Sequence, residues 1–287
     1  VRVTRFAPSP TGPLHLGHVY AALVAEGRAR AVGGRFLLRI EDIDRARSRI
    51  EYEQLIYDDL SWIGSRWDGP VLRQSDRLPV YATALKTLGE RGLLYPCRCT
   101  RGDIRAALSA PQEGAPIVGP DGLVYPGTCR GRRYADLQDD DALRLDMQAA
   151  IAALGGPSAV VALGFTETGP IHPGRHALDP DHLVQGIGDV VLARRDMGTS
   201  YHLAVVVDDA EQGVTEVTRG VDLFEATPLH RLLQALLGLP VPDWHHHDLI
   251  RDAVGKRLAK RDDARAIAAY RAAGETPAQV RARVGVQ

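Results

Sequence analysis

The opening of the chain constrains the fold most. Residues 1–6 alternate apolar and polar side chains as a half-buried strand does, Pro8, Pro10, Gly12 and Pro13 then enforce a loop, and a helical pattern runs over residues 16–31. A strand that ends in a Gly/Pro loop and opens a helix brings backbone N–H groups and the positive helix end to one place, an arrangement suited to a phosphate. Residues 36–40 read as a second strand, followed by helical patterns at 50–63 and 79–91. Strands alternating with helices favour an α/β fold, a parallel sheet with helices on its faces.

From residue 97 to 173 the texture changes to Gly, Pro and short charged pieces, with an isolated strand candidate at 142–147, and this stretch reads as an insertion. Strands are expected again at 189–194, 201–207 and 214–218, where the sheet should resume. Beyond Asp222 the chain reads as helical, with Thr227 before Pro228 and Thr276 before Pro277 as helix starts. At 287 residues and 45% apolar, the chain has material for one large domain or two ordinary ones without cross-links. No run approaches the ~20 apolar residues of a membrane span, and the first residues lack a secretion signal's apolar block, so a cytoplasmic address and no membrane partner are expected. Three cysteines make a disulfide framework improbable, and Cys97 and Cys99 invite a thiolate metal site instead. The net charge of −1 offers a polyanion no global attraction; the basic clusters at 129–133 and 256–261 are the local patches that would, with a solvated surface the alternative for the first.

His15 and His18, three apart at the start of a helix, can face one ligand, while Gly17 lets an adenine ring approach the backbone; the competing reading is a pair of surface histidines. The string from Arg5 through His15-Leu-Gly-His18 resembles the class I aminoacyl-tRNA synthetases, specifically their glutamyl branch. Arg39-Ile-Glu-Asp-Ile-Asp44 is similar to the acidic motif of that branch. A carboxylate aimed into a cleft at a strand's carboxyl end suits an ammonium group, which assigns Glu41 to the amino group of glutamate. Arginine grips a carboxylate through paired hydrogen bonds, which makes Arg5 and Arg219 candidates for glutamate's side chain. The resemblance adds Tyr201 and the loop residues Phe6, Ala7, Pro8 and Ser9 to the glutamate site, and assigns His15, Gly17, His18 and Lys260 to ATP, with His15, His18 and Lys260 catalytic. The run 256–261 is similar to the lysine loop of these enzymes; Ala259 stands where the family has a small hydroxyl residue. A mobile ammonium there stabilises charge on the α-phosphate and departing pyrophosphate, and Mg²⁺ travels with the ATP.

The resemblance implies a Rossmann-like parallel sheet built from residues 1–96 and 176–223, an inserted α+β zinc-bearing subdomain at 97–175, and a C-terminal helical subdomain at 224–287 carrying the lysine loop. Cys97, Cys99, Tyr125 and Cys129 match the pattern of one structural zinc per chain in a short relative within the branch. The alternatives are buried reduced cysteines beside a packed tyrosine, or His172 or His176 in place of Tyr125; the run 245–247 reads as a surface or interface tract. Because the chain ends soon after Lys260, no anticodon-binding domain is expected. The short relatives activate L-glutamate with ATP and pass it to queuosine in the anticodon of tRNA(Asp); a monomer is expected. Competing readings are a minimal enzyme charging the 3′ end of tRNA(Glu), a non-catalytic RNA-binding paralogue, and another H-x-G-H nucleotidyltransferase. The last accounts for His15 and His18 but not for Arg5, Glu41, Tyr201 and Arg219.

Overall fold

The computed structural model describes residues 1–109, 117–250 and 265–285. Strand Val3–Phe6 pairs in parallel with Arg35–Ile40, which pairs in parallel with Leu72–Arg73. Helices Leu16–Arg30 and Ile50–Ile63 pack on this sheet through a core that includes Val19, Leu23, Phe36, Leu38, Ile56 and Leu60. Burying each of the larger side chains contributes roughly 1.5–3 kcal/mol. Gly64, with φ at 87°, closes Ile50–Ile63 in the left-handed conformation that a side chain disfavours.

A second group of strands continues the sheet on the other side of Val3–Phe6. Glu216–Gly220 pairs in parallel with Asp243–His247, Trp244 with Glu167 of Phe165–Glu167, and that strand runs antiparallel to Gly174–His176. The two groups join at Thr215, whose N–H donates to the Val3 carbonyl at 3.0 Å and whose hydroxyl accepts from the Val3 N–H at 2.9 Å. Further along, the Arg5 side chain, not its backbone, reaches across to the Thr218 carbonyl at 3.0 Å. The strands therefore part at their carboxyl ends, where open α/β sheets place their ligand crevice.

A separate antiparallel sheet holds Leu94–Cys97, Ala142–Leu145 and Val191–Ala193, in the order Val191–Ala193, Ala142–Leu145, Leu94–Cys97. Among the described residues no helix is long and apolar enough to cross a membrane.

Several expected elements differ. Residues 201–207 belong to a helix, Tyr201–Glu211, whose N-terminus is capped by Ser200. Val205 and Val206 are buried in it, and a short apolar run of this kind does not distinguish a buried strand from a buried helix. The strand expected at 189–194 is confined to Val191–Ala193 and lies in the second sheet; the main sheet resumes at Glu216–Gly220. Phe165–Glu167 supplies a main-sheet strand from within the Gly/Pro-rich stretch, and Asp243–His247 supplies one from within the stretch expected to be helical. His246 and His247 are consequently buried, which corrects the reading of 245–247 as a surface or interface tract.

Candidate active site

The carboxyl ends of the first two strands deliver arginines to one carboxylate. Arg5 Nε and Nη2 donate to the two oxygens of Asp209 at 2.9 and 3.3 Å, and Arg39 Nη1 donates to Asp209 Oδ1 at 2.7 Å. All three residues are buried. Burial alone would push the Asp209 carboxyl up, but the Arg5 and Arg39 guanidiniums hold it below the usual carboxylate range.

Arg39 Nη2 also donates to Glu41 at 3.1 Å, and the Glu41 N–H donates to the Pro8 carbonyl at 3.0 Å, pinning the end of the second strand to the loop after the first. Burial pushes the Glu41 pKa up, more than Arg39 and Arg5 pull it down. Glu41 is thus a carboxylate held in short supply of positive charge. It lines a cavity of about 270 Å³ together with Ser9, Asp44, Gln74, Arg194 and Tyr201. Phe6 and Pro8 are buried and Ala7 is half-buried in the loop wall behind it.

Arg219 occupies a different environment. Its Nε donates to His246 Nε2 at 3.0 Å, its Nη1 to His230 Nδ1 at 3.0 Å, and its Nη2 to the Leu223 carbonyl at 3.1 Å and the Thr227 hydroxyl at 2.8 Å. Every one of these acceptors is neutral, because an imidazole nitrogen that accepts from guanidinium carries no proton. Arg219 is 6% exposed. Burial, the largest influence on it, lowers its pKa, with Tyr201 acting in the opposite direction. Tyr201 opens the helix Tyr201–Glu211 with its ring 5.8 Å from that of His230; burial raises its phenol pKa, and Arg219 opposes the rise.

At the other end of the loop His15 caps helix Leu16–Arg30. Its Nδ1 accepts from the Gly17 N–H at 3.1 Å, and His18 Nδ1 accepts from the His15 N–H at 3.1 Å. Both Nδ1 atoms serve as acceptors, so in the neutral rings the proton sits on Nε2 in each. The rings lie 3.8 Å apart, centroid to centroid. Lys260 and Ala259 lie outside the described residues. Ala266 forms an isolated bridge with His15, and the Ile267 N–H donates to the Leu14 carbonyl at 2.9 Å.

A second centre gathers Cys97, Cys99 and Cys129, whose sulfurs lie within 4.8 Å of one another. The Tyr125 hydroxyl is 3.5 Å from Cys97 Sγ and 3.3 Å from Cys99 Sγ, and Cys99 and Cys129 sulfurs are 3.6 Å apart. Tetrahedral zinc with Zn–S bonds of about 2.3 Å has S···S edges of roughly 3.7–3.8 Å. The spacing of the four donors fits such an ion. Burial pushes the Cys129 thiol up, but the Tyr125 hydroxyl, a backbone hydrogen bond from Arg98 and the neighbouring thiols bring it down to about 7, while burial raises Cys99 and Tyr125. His176 Nε2–H donates to the His172 carbonyl, 2.7 Å away, and neither histidine belongs to this cluster.

Sequence reasoning missed Asp209, His202, His230, His246 and Glu167 as members of the site's framework. Asp209 was visible only as the end of the run 201–209, and a lone histidine such as His230 carries no local signal. The pairing of Arg5 with Asp209 spans 204 positions, beyond any periodic pattern.

Residues 1–116 and 175–286 match the family described as tRNA synthetases class I (E and Q), catalytic domain. A Glutamyl-Q tRNA(Asp) synthetase from Rhodobacter capsulatus is 61% identical over 287 residues, covering 99% of this chain and 100% of the relative. The protein of that name from Nocardia farcinica is 46% identical over 96% of this chain and 81% of the relative. Among solved structures, a glutamate tRNA ligase from Elizabethkingia meningosepticum in complex with its amino acid is similar with a TM-score of 0.70 at 29% identity. That likeness covers 91% of this chain, which spans about half, 52%, of the ligase. Mycobacterium tuberculosis methionyl-tRNA synthetase, at 11% identity and a TM-score of 0.62, shares the fold.

Proposed function

The chain belongs to the class I tRNA synthetases of the glutamate and glutamine type, and from that premise we propose that it activates L-glutamate with ATP and transfers it to tRNA(Asp). The acceptor is a hydroxyl of the cyclopentenediol of queuosine at the wobble position. The observation that carries the amino-acid assignment is Arg219, a buried guanidinium surrounded by neutral acceptors. A buried charge without a direct counter-ion calls for an anionic ligand, and the γ-carboxylate of glutamate supplies one. Glu41 then meets the ammonium group, whose arrival offsets the burial that raises its pKa. Arg5, already held by Asp209, frames the pocket between them, with Tyr201 and residues 6–9 as its walls. The acceptor assignment rests on likeness to the Rhodobacter capsulatus protein along that relative's whole length.

In the first step an oxygen of the α-carboxylate of glutamate attacks the α-phosphorus of ATP, and the bond to pyrophosphate breaks. His15 and His18 present Nε2–H donors towards the phosphates, Gly17 underlies the adenine, and Lys260 neutralises charge on the departing pyrophosphate, where Mg²⁺ bound with ATP would add further positive charge. In the second step the diol hydroxyl attacks the acyl carbon, the bond to AMP breaks, and the hydroxyl proton leaves with the phosphate or to solvent. A zinc ion held by Cys97, Cys99, Tyr125 and Cys129 would fix the segment around them and takes no part in either step. We read the added segment as lying between the matched stretches 1–116 and 175–286, narrower than 97–175 and without the main-sheet strand Phe165–Glu167, and place the lysine loop in 224–287.

The test is to glutamylate queuosine-bearing tRNA(Asp) with labelled glutamate and digest it with a base-specific nuclease. Label in the anticodon fragment is the expected result. Label on the terminal adenosine would replace this reading with charging of a 3′ end.

A further inference from the structure

Arg219 lies within a chain of polar groups, buried except at its exposed end Asp121, whose proton positions are fixed by its guanidinium. Guanidinium only donates, so His230 Nδ1 accepts from it and the proton of neutral His230 lies on Nε2. That Nε2–H donates to His202 Nδ1 at 2.9 Å, which places the His202 proton on Nε2, where it donates to Asp121 Oδ1 at 2.9 Å. On the opposite side His246 Nε2 accepts from Arg219, so His246 Nδ1–H donates to Glu167. The three imidazoles are at most 5% exposed, and each direction in the chain is consistent with the next. Burial followed by the Arg219 charge lowers the pKa of His230 well below its ordinary value, in keeping with a neutral ring.

We propose that the Asp121 carboxylate holds the neutral imidazoles of His202 and His230 in a relay that aims Arg219 and keeps its charge available for a ligand, making His230 a positioning residue for the glutamate side-chain carboxylate. The inference rests on the glutamate reading above. It has a further consequence. Residues 202, 219 and 230 lie within the stretches that the synthetase family matches, whereas Asp121 lies in the stretch it skips and in the turn between Val118–Gly119 and Gly122–Leu123. Asp121 is also four positions before Tyr125 of the cysteine cluster. The glutamate pocket is therefore braced from the part of the chain that the general catalytic pattern lacks.

The test uses glutamate-dependent exchange between pyrophosphate and ATP, with KM measured separately for each substrate, and nitrogen NMR of the histidines in the whole chain. Removing a hydrogen bond to a charged group in His230→Leu should raise KM for glutamate about 30-fold while KM for ATP stays within about twofold. His230→Asn places an amide oxygen near the position of Nδ1 and should recover most of that loss. Asp121→Ala should raise KM for glutamate about fivefold without altering any group that touches glutamate. In the parent at pH 7, the spectra should show neutral rings protonated on Nε2 at His202 and His230 and on Nδ1 at His246. An unchanged KM for glutamate in His230→Leu, a parallel rise in both KM values, or an imidazolium or the opposite tautomer at His230 overturns the relay. Absence of exchange in the parent would overturn the glutamate reading instead, and the NMR result would still decide the relay, as it would if His230→Leu failed to fold.

Discussion

Glu41 and Asp209 are two carboxylates near the same arginines with opposite proton affinities. Asp209 takes three hydrogen bonds from two guanidiniums and its pKa is lowered, whereas Glu41 takes one from Arg39 and burial raises its pKa. A raised carboxyl pKa means that the folded chain binds the proton more tightly than the unfolded chain. Stability owed to Glu41 is therefore fully present below its ordinary pKa and is lost as the pH rises through the raised value. Glu41→Gln removes that loss and leaves Arg39 paired with Asp209. At pH 7 to 8 it should be more stable than the parent by about 1 kcal/mol in urea unfolding, the gap closing as the pH falls, while glutamate-dependent exchange drops about 100-fold. A variant less stable than the parent at every pH would show that Glu41 is a structural ion pair. Glu41 was legible in the sequence because its chemistry sits inside a contiguous motif. Asp209 was not, because what identifies it is two arginines brought from other strands, 204 and 170 positions away.

Among elements, helix Tyr201–Glu211 joins the site to the rest of the chain. Successive residues on an α-helix point about 100° apart, so Asp208 and Asp209 face different neighbours. Asp209 holds the strand arginines, and Asp208 accepts from Gln74 at 2.9 Å, Arg77 at 2.7 Å and the Tyr81 hydroxyl at 2.7 Å. Asp208 is fully buried. Asp208→Asn should cost about 3 kcal/mol, since it removes one charge of a buried pair, whereas Tyr81→Phe, which leaves two donors in place, should cost about 1 kcal/mol. Urea unfolding of the two variants checks the order, and equal losses would mean that the hydroxyl, not the charge, holds the helix. This helix was misread as a strand because valines at 205–207 leave no clear period. Helix Ile50–Ile63 was legible to its ends, and so was the start of Pro277–Arg283, where Thr276 accepts from the Gln279 N–H at 3.3 Å in a capping box. Local chemistry wrote those boundaries into the sequence, whereas the strand Asp243–His247 is fixed by partners on both sides.

At the scale of the whole molecule, the cysteine cluster and the proposed glutamate pocket belong to different sheets. Cys97 ends a strand of the antiparallel sheet, and Arg144 from the neighbouring strand donates to its sulfur at 3.2 Å and lies over the Tyr125 ring, 3.8 Å from its centroid. Arg5, Glu41, Arg219 and the histidines are assembled by the parallel strands and helices Tyr201–Glu211 and Thr227–Leu237 instead. Loss of a bound ion should therefore loosen the first region directly and reach the second through links such as Asp121. The purified chain should carry about one zinc by elemental analysis, and Cys99→Ala should carry none, because three remaining donors leave a structural site open. The variant's thermal midpoint should fall by several degrees, about 2–4 °C for each kcal/mol lost. In pyrophosphate exchange its kcat should stay within about twofold of the parent and its KM for glutamate should rise about threefold, since the positioning of Arg219 is weakened and the reacting groups are untouched. Transfer to tRNA should fall further than activation, because Tyr125 and Cys129 tie the cluster to residues 117–174, which the general catalytic pattern skips. A zinc-free variant with an unchanged KM for glutamate and unchanged transfer would separate the metal from both halves of the reaction and confine it to holding its own loops together.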